Sequence, residues 1–418
     1  MIAASIPIQR APDARLLVVD EDGGVTHHAR ADFPSLVREG DIVIANDAAT
    51  LPASLFGVHL PTGRPIELRL AARDSLSPER VTRFTAVVFG AGDFRTPTEH
   101  RPHPPLLRAG DALQLGPLRA VVLCVVKHPR LIEVRFQNPV GEIWEGLSRY
   151  GRPIQYAHLP QPIAIWDTWT RIASQPVAFE SPSAGFILDW TVIQSLRSRG
   201  ARFATVTHAA GISSTGDLEL DELLPFDEPY DIPSHTATLI ETSRRLGGRV
   251  IAIGTTVVRA LEHAADHDGT VRPGEGIATQ RIGSGTVLRV ADAIVSGIHE
   301  RGTSHYELLR AFQDDHTLRR MEGEAEARGY RTHEFGDSLF LRRSSTVPMM
   351  QRPLETTRSR LMAEERDHEH IGRPSSDAVK GEKAADPVHP TPSDKDEVAP
   401  KTIETDLLIE DRFEATDN

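Results

Sequence analysis

The sequence predicts an α/β fold: an α/β core domain, an inserted small antiparallel β-barrel domain and a disordered C-terminal tail. Three observations predict it. Short apolar runs alternate with helical periods at both ends of the body, the pattern of a core with helices packed on a sheet. Between them lies a stretch of dense strand signals with no helical period. Beyond about residue 346 the chain turns polar, charged and rich in Pro and Ser, and cannot bury enough apolar surface to offset chain entropy. The expected organisation is residues 1–56 plus 147–345 as the α/β domain, 57–146 as the barrel and 346–418 as the tail.

In chain order, LLVVD (16–20) and DIVIAND (41–47) read as strands, and DFPSLVREG between them as a short helix closed by Gly40. FGVHL and PIELRL flank the turn PTGR (61–64), a hairpin pattern. RFTAVVFG, DALQLG, LRAVVLCVV and LIEVRF follow as further strands, with Cys124 expected in the core. The helical period then returns: Phe186, Trp190, Ile193 and Leu196 share one helical face, and Gly200 ends it. RFATVTH (202–208) is a strand, and Ser234 a cap for a helix that stops at Gly247 and Gly248. RVIAIG (249–254) is a buried strand, TTVVRALEHAA (255–265) a helix, 303–313 and 314–328 are helical, and SLFLR is a last strand.

Composition excludes several chemistries. Of five lysines only Lys127 lies outside the tail, so a Schiff-base mechanism has almost no lysine to use, and no GxxxxGK[ST] loop is present. A single cysteine excludes an internal disulfide, and no apolar run is long enough for a membrane helix. The N-terminal residues lack the basic flank and apolar segment of a signal peptide, so a cytoplasmic protein is expected. The net charge of −12 argues against broad nucleic-acid binding. It is concentrated in residues 351–418, with 10 Lys and Arg against 17 Asp and Glu, which leaves room for local basic patches in the body.

The strongest local signal is RVIAIGTTVVRALE, residues 249–262. A buried strand runs through a tight Gly-Thr-Thr turn into a helix. Unpaired N–H groups and the dipole at the helix start favour an anion or a polar ligand edge. Gly254 lets a ligand approach the backbone, Thr255 and Thr256 cap the helix or bind a ligand, and Arg259, one turn in, is expected to face an exposed cleft. An ordinary Thr-capped junction remains the alternative. His263 and His267 have the i, i+4 spacing of metal ligands, with Asp268 beside them but no third ligand evident, so no metal is expected. The clusters Arg197–Arg199–Arg202, Arg244–Arg245–Arg249 and Arg319–Arg320 pair either with helix dipoles or with phosphate.

This segment resembles the G-T-T-S-V-R-x-L-E signature of the S-adenosylmethionine:tRNA ribosyltransferase-isomerase family. Other likenesses follow in the family's order. RLLVVD and GDIVIANDAATLPASLFG (40–57) resemble its N-terminal motif G-D-x-x-x-x-N-D-T-x-V-I-P-A-R-L-x-G. YGRPIQY (150–156) resembles Y-G-x-x-P-L-P-P-Y, SPSAGF (181–186) resembles A-P-T-A-G-L, and FGDSLFL (335–341) resembles Y-G-D-A-M-L-I. The resemblance implies a small barrel inserted in an α/β domain. It implies S-adenosylmethionine as co-substrate, no metal, and a tRNA anticodon as partner. Its ribosyl part passes to a 7-aminomethyl-7-deazaguanine base, giving epoxyqueuosine and releasing adenine and methionine.

It also implies site residues. Glu228, His208 and His299 are the acid–base candidates; Gly254, Thr255, Thr256, Arg259 and Tyr230 contact cofactor or substrate. Glu228 is placed in a loop before Pro229, and His208 at a strand end. Departures accompany these matches. Ile187 and Phe226 stand where the family has histidine, Ser213 where it has glycine and Gly302 where it has lysine, while His208 falls one position early. A divergent paralogue acting on another nucleoside-like substrate and a non-catalytic nucleotide-binding protein remain the rival readings.

Overall fold

The structure, a computed structural model, describes residues 2–9 and 11–345; the expected disordered tail lies outside the described residues. Its centre is a nine-stranded mixed sheet. The strand order is Gly274–Ala278, Glu228–Ile232, Arg202–His208, Ile42–Asn46, Val250–Ile253, Ala293–Gly297, Ser338–Arg342, Arg15–Val19 and Val25–Ala29. The four strands from Arg202–His208 to Ala293–Gly297 run parallel, and antiparallel pairings flank them.

Ile42–Asn46 shows why a parallel centre demands an unbroken apolar run. Every residue is buried, because Ile42 and Ile44 face one hydrophobic core while Val43 and Ala45 face another. Helices Ser234–Arg245 and Thr255–Ala264 bring Ile240, Val257, Val258 and Leu261 to the first core. The 3-10 turn Arg30–Leu36 and helix Trp190–Ser198 bring Phe33, Val192 and Leu196 to the second.

After Ile42–Asn46 the chain leaves the sheet and builds a closed antiparallel barrel of six strands, Ser54–His59, Arg64–Ala72, Arg83–Phe89, Ala112–Leu115, Leu118–Val125 and Leu131–Phe136. Helix Val140–Tyr150 packs Ile143 and Leu147 against its core. The chain then returns to the sheet at Arg202–His208. No helix among the described residues is long and apolar enough to cross a membrane.

Several local expectations are corrected. Cys124 lies on a barrel strand but is exposed, because a bulge between Val122 and Cys124 shifts the inward register. Phe186 is not on the helix of Ile193 and Leu196. It sits in the separate turn Ser183–Ile187, because the Asp189 carboxylate accepts the Val192 N–H at 2.7 Å and starts a new helix; Trp190, its first residue, is 71% exposed. Ser234 is the first helical residue rather than the cap, since Pro233 holds that position in an extended conformation. Glu228 belongs to the strand Glu228–Ile232, not to a loop. Pro229 weakens its strand signal, yet the pairing with Gly274–Ala278 forms around it.

Candidate active site

The parallel strands all present their carboxyl ends to one place, where open α/β sheets gather ligands. A cavity of about 570 Å³ opens there. Its walls come from the turn after Val250–Ile253, the loop after Arg202–His208, the loop after Ala293–Gly297, and the segments around Tyr156 and Glu180.

The strand, glycine turn and helix form as the sequence suggests, but Gly254 holds the cap position and no threonine side chain caps the helix. Gly254 adopts φ +99, a left-handed conformation open to glycine, and its N–H donates to the Val295 carbonyl at 2.7 Å. Thr255 opens the helix, and both Thr255 and Thr256 face the cavity. Asn46 ties this turn to the neighbouring strand. Its side-chain nitrogen donates to the His208 carbonyl at 2.9 Å and to the Thr256 hydroxyl at 3.3 Å, while its oxygen accepts the His208 N–H at 3.0 Å. Farther along the helix, the Glu262 carboxylate accepts the backbone N–H groups of Arg289, Val290 and Ala291 at 2.7, 2.9 and 2.9 Å. The glutamate of the signature is therefore a clamp on an adjoining loop.

Arg259 lines the cavity, but it is not an exposed cleft side chain. It is 5% exposed and forms an ion pair with Glu228, itself 5% exposed. It also donates to the carbonyls of Phe226 at 3.1 Å and Ala278 at 2.9 Å. The helical period turns its stem into the core side of the helix, and only a carboxylate on the facing strand makes that burial tolerable. Glu228 completes the arrangement by accepting the Gly211 N–H at 2.6 Å. Burial pushes the Glu228 carboxyl up, against the opposing pull of Arg259 and the Gly211 N–H.

Of the other sequence candidates, His299 reaches the cavity. Its Nε2 lies 2.8 Å from the Ser296 hydroxyl and its ring stacks on His305 at 4.6 Å. Burial and the neighbouring His305 hold His299 well below the usual histidine range. His208 and Tyr230 do not line the cavity. His208 is fully enclosed behind Glu228, with Nε2 3.5 Å from the carboxylate, and neither ring nitrogen has a hydrogen-bond partner among the described residues. Burial and then Arg259 hold it well below the usual range, so its ring is neutral. Tyr230 stacks behind His208, and its hydroxyl lies 2.9 Å from His263 Nδ1. That contact gives His263 a partner on the sheet rather than a role beside His267 and Asp268. Several arginines of the three clusters are also engaged: Arg249 pairs with Asp41, Arg244 donates to the carbonyls of Gly269 and Arg289, and Arg320 donates to the Gly23 carbonyl.

Sequence reasoning missed Glu180, Tyr156 and His305, all on the cavity wall. Glu180 accepts the Tyr156 hydroxyl through one oxygen and the Ser213 N–H at 3.0 Å through the other. Burial pushes its carboxyl up to about 7, against the pull of those two hydrogen bonds. The only sequence signal is its place between a short apolar run, PVAF, and the SPSAGF motif. His305 is lowered to about 4 by burial and then by Arg259.

Comparison with known proteins follows the same lines. Residues 1–341 match the family described as Queuosine biosynthesis protein. A protein of Thiobacillus denitrificans, named S-adenosylmethionine:tRNA ribosyltransferase-isomerase, is 30% identical over 349 residues, covering 82% of this chain and 95% of its own. A Sorangium cellulosum protein of the same name is 32% identical over 371 residues, covering 82% and 95%. The crystal structure of an S-adenosylmethionine tRNA ribosyltransferase from Thermotoga maritima aligns at 21% identity and a TM-score of 0.43, over 81% of this chain and 96% of that one. With the match running from the first residue to the last strand of the sheet, this chain belongs to the queuosine biosynthesis protein family.

Proposed function

We propose that this protein is an S-adenosylmethionine:tRNA ribosyltransferase-isomerase. It transfers and isomerises the ribosyl part of S-adenosylmethionine onto a 7-aminomethyl-7-deazaguanine base in a tRNA anticodon. The products are epoxyqueuosine in tRNA, adenine and methionine. The observation that carries the reading is a cavity at the carboxyl ends of the parallel strands, with the Gly254-Thr255-Thr256 turn on one wall and a half-buried carboxylate titrating near 7, Glu180, on another.

The chemistry needs a base but little else from the protein. The sulfonium acidifies the adjacent ribose carbon, and a carboxylate in its path can take that proton. Glu180 suits the role better than Glu228. A carboxyl titrating near 7 is partly ionised at working pH and still basic enough to compete for a carbon proton, and Tyr156 and Ser213 hold it in place. Glu228 is committed to Arg259 and acts as a positioning group, with His208 as neutral packing behind it. Gly254, Thr255 and Thr256 offer an open backbone and hydroxyls to the polar edge of the co-substrate. His299, neutral on the cavity wall, can hydrogen-bond a leaving group or the incoming base amine.

Mass spectrometry of anticodon nucleosides tests the reading after incubation with S-adenosylmethionine and tRNA carrying the deazaguanine precursor. Appearance of epoxyqueuosine and free adenine is expected; unmodified precursor with intact S-adenosylmethionine defeats the assignment. A second reading, another nucleoside-like acceptor, has one observation in its favour. Gly302 lines the cavity where the resembling motif carries a lysine, so a fixed positive charge is missing from that wall. Under it, S-adenosylmethionine is consumed with a small nucleoside but not with tRNA.

A further inference from the structure

We propose that His158, His333 and Glu334 form a site for one divalent transition-metal ion of the zinc class at the edge of the cavity. Among the described residues, the ligand atoms of these three side chains all lie within 4.8 Å of one another. His158 Nε2 and Glu334 Oε2 stand 3.0 Å apart. Donors around a tetrahedral zinc, at bond lengths of about 2.1 Å, stand roughly 3.4 Å apart. The His158–Glu334 pair therefore needs only a small movement to share an ion.

Two backbone segments aim the residues. His158 sits in a loop held by Gln155, whose side-chain nitrogen donates to the carbonyls of Leu159 at 2.8 Å and Gln161 at 2.7 Å. His333 sits in a tight turn closed by the Gly336 N–H on its carbonyl at 2.9 Å. Its φ is +68, a conformation that favours glycine. A histidine held there is strained, and such strain persists where the side chain is needed. The rings of His158 and His333 stack at 4.1 Å with an interplanar angle of 16°. In that stack the nitrogen lone pairs run side by side, so binding requires His333, the exposed member, to swing out until its nitrogen converges with the others.

His333 and Glu334 also line the cavity that holds Glu180 and Tyr156. Two imidazoles and one carboxylate are a ligand set that leaves a zinc ion an open position. Here that position faces the cavity, where it would take an anionic oxygen, a carboxylate or a phosphate. The site rests on this geometry and not on the proposed ribosyl transfer, and its test reads binding without turnover.

The full chain, stripped with a chelator and dialysed, is titrated with zinc chloride by calorimetry, and with cobalt(II) chloride followed by visible absorption. One zinc per chain with a Kd in the micromolar range or below is expected, with the intense visible bands of four-coordinate cobalt. His158→Ala and Glu334→Gln should each weaken binding at least 10-fold. His333→Gly is the decisive variant, because glycine relieves the turn and keeps the fold while removing the ligand; it too should lose at least 10-fold, with an unchanged or higher Tm. Failure of the wild-type chain to bind stoichiometric zinc overturns the proposal. So does equal binding by His333→Gly, or binding abolished by His299→Ala and His305→Ala but not by the three variants above.

Discussion

Arg259 and Glu228 are each 5% exposed, and each is the other's reason for being ionised in the interior. Removing one partner leaves an uncompensated buried charge, which costs about 3–5 kcal/mol. Arg259→Ala should therefore lower stability by about that amount in a urea titration, and Glu228→Gln by less, because the amide still accepts one hydrogen bond. An unchanged midpoint for Arg259→Ala would mean that the pair is not formed in solution. Glu180 makes a prediction of opposite kind. Its folded carboxyl titrates near 7, above the ordinary value of 4.5, so the folded state holds the proton more tightly than the unfolded chain. That contribution is fully present below about pH 4.5 and is lost as pH rises through 7. Relative to wild type, Glu180→Gln should gain stability between pH 5 and pH 8, by at most about 3 kcal/mol. Turnover, if Glu180 is the base, should rise through an apparent pKa near 7 in wild type. The variant should lose that limb. A flat wild-type profile across pH 6–8 would remove Glu180 from the proton transfer.

At the scale of elements, the junction of Val250–Ile253 with Thr255–Ala264 organises both a ligand wall and a distant loop. Glu262, two turns past Gly254, receives three N–H groups from residues 289–291. Each buried donor left unmet costs about 1–3 kcal/mol. Glu262→Ala should thus destabilise by about 3 kcal/mol or more, and hydrogen exchange should speed at Arg289, Val290 and Ala291 before it does in the barrel. Uniform exchange across the chain would contradict the clamp. This junction was legible in the sequence, because a strand, a glycine turn and a helix are all local patterns. Glu180, Tyr156 and His305 were not. Tyr156 meets Glu180 across 24 residues and His305 joins their cavity from a helix more than 100 residues farther on, and nothing local distinguishes a glutamate that will be enclosed from one that will be solvated. His208 misled for the same reason: its strand end was correctly placed, but the side to which its ring turns is fixed by the partner strand Glu228–Ile232, which Pro229 hid from pattern reading.

At the scale of the molecule, the change from helical to strand period and back marked the barrel because closure requires many short antiparallel strands in succession. The strand order of the large sheet was not legible, since Ile42–Asn46 finds its neighbours at Arg202–His208 and Val250–Ile253 through the twist of the whole sheet rather than through any sequence cue. The family match ends at residue 341, at the last strand. A chain ending at residue 345 is accordingly expected to keep its melting temperature within about 2 °C of the full chain, the shift that roughly 1–1.5 kcal/mol would produce in a body this size. A large fall would give the acidic segment a part in folding.

The same sheet sets a timetable for synthesis. The hairpin Arg15–Val19 and Val25–Ala29 leaves the ribosome before the other strands of the sheet, yet the inner edge of Arg15–Val19 pairs with Ser338–Arg342, more than 300 residues later. Until that strand is made the apolar edge has no mate, and an unpaired strand is a template for foreign strands. The barrel is different, for all its pairings close within residues 54–136, and it can form while the rest is still being made. Nascent chains stalled after residue 200 should show protease-resistant barrel and cleavable residues 15–46. The early hairpin is the part of this protein that a chaperone has most reason to hold.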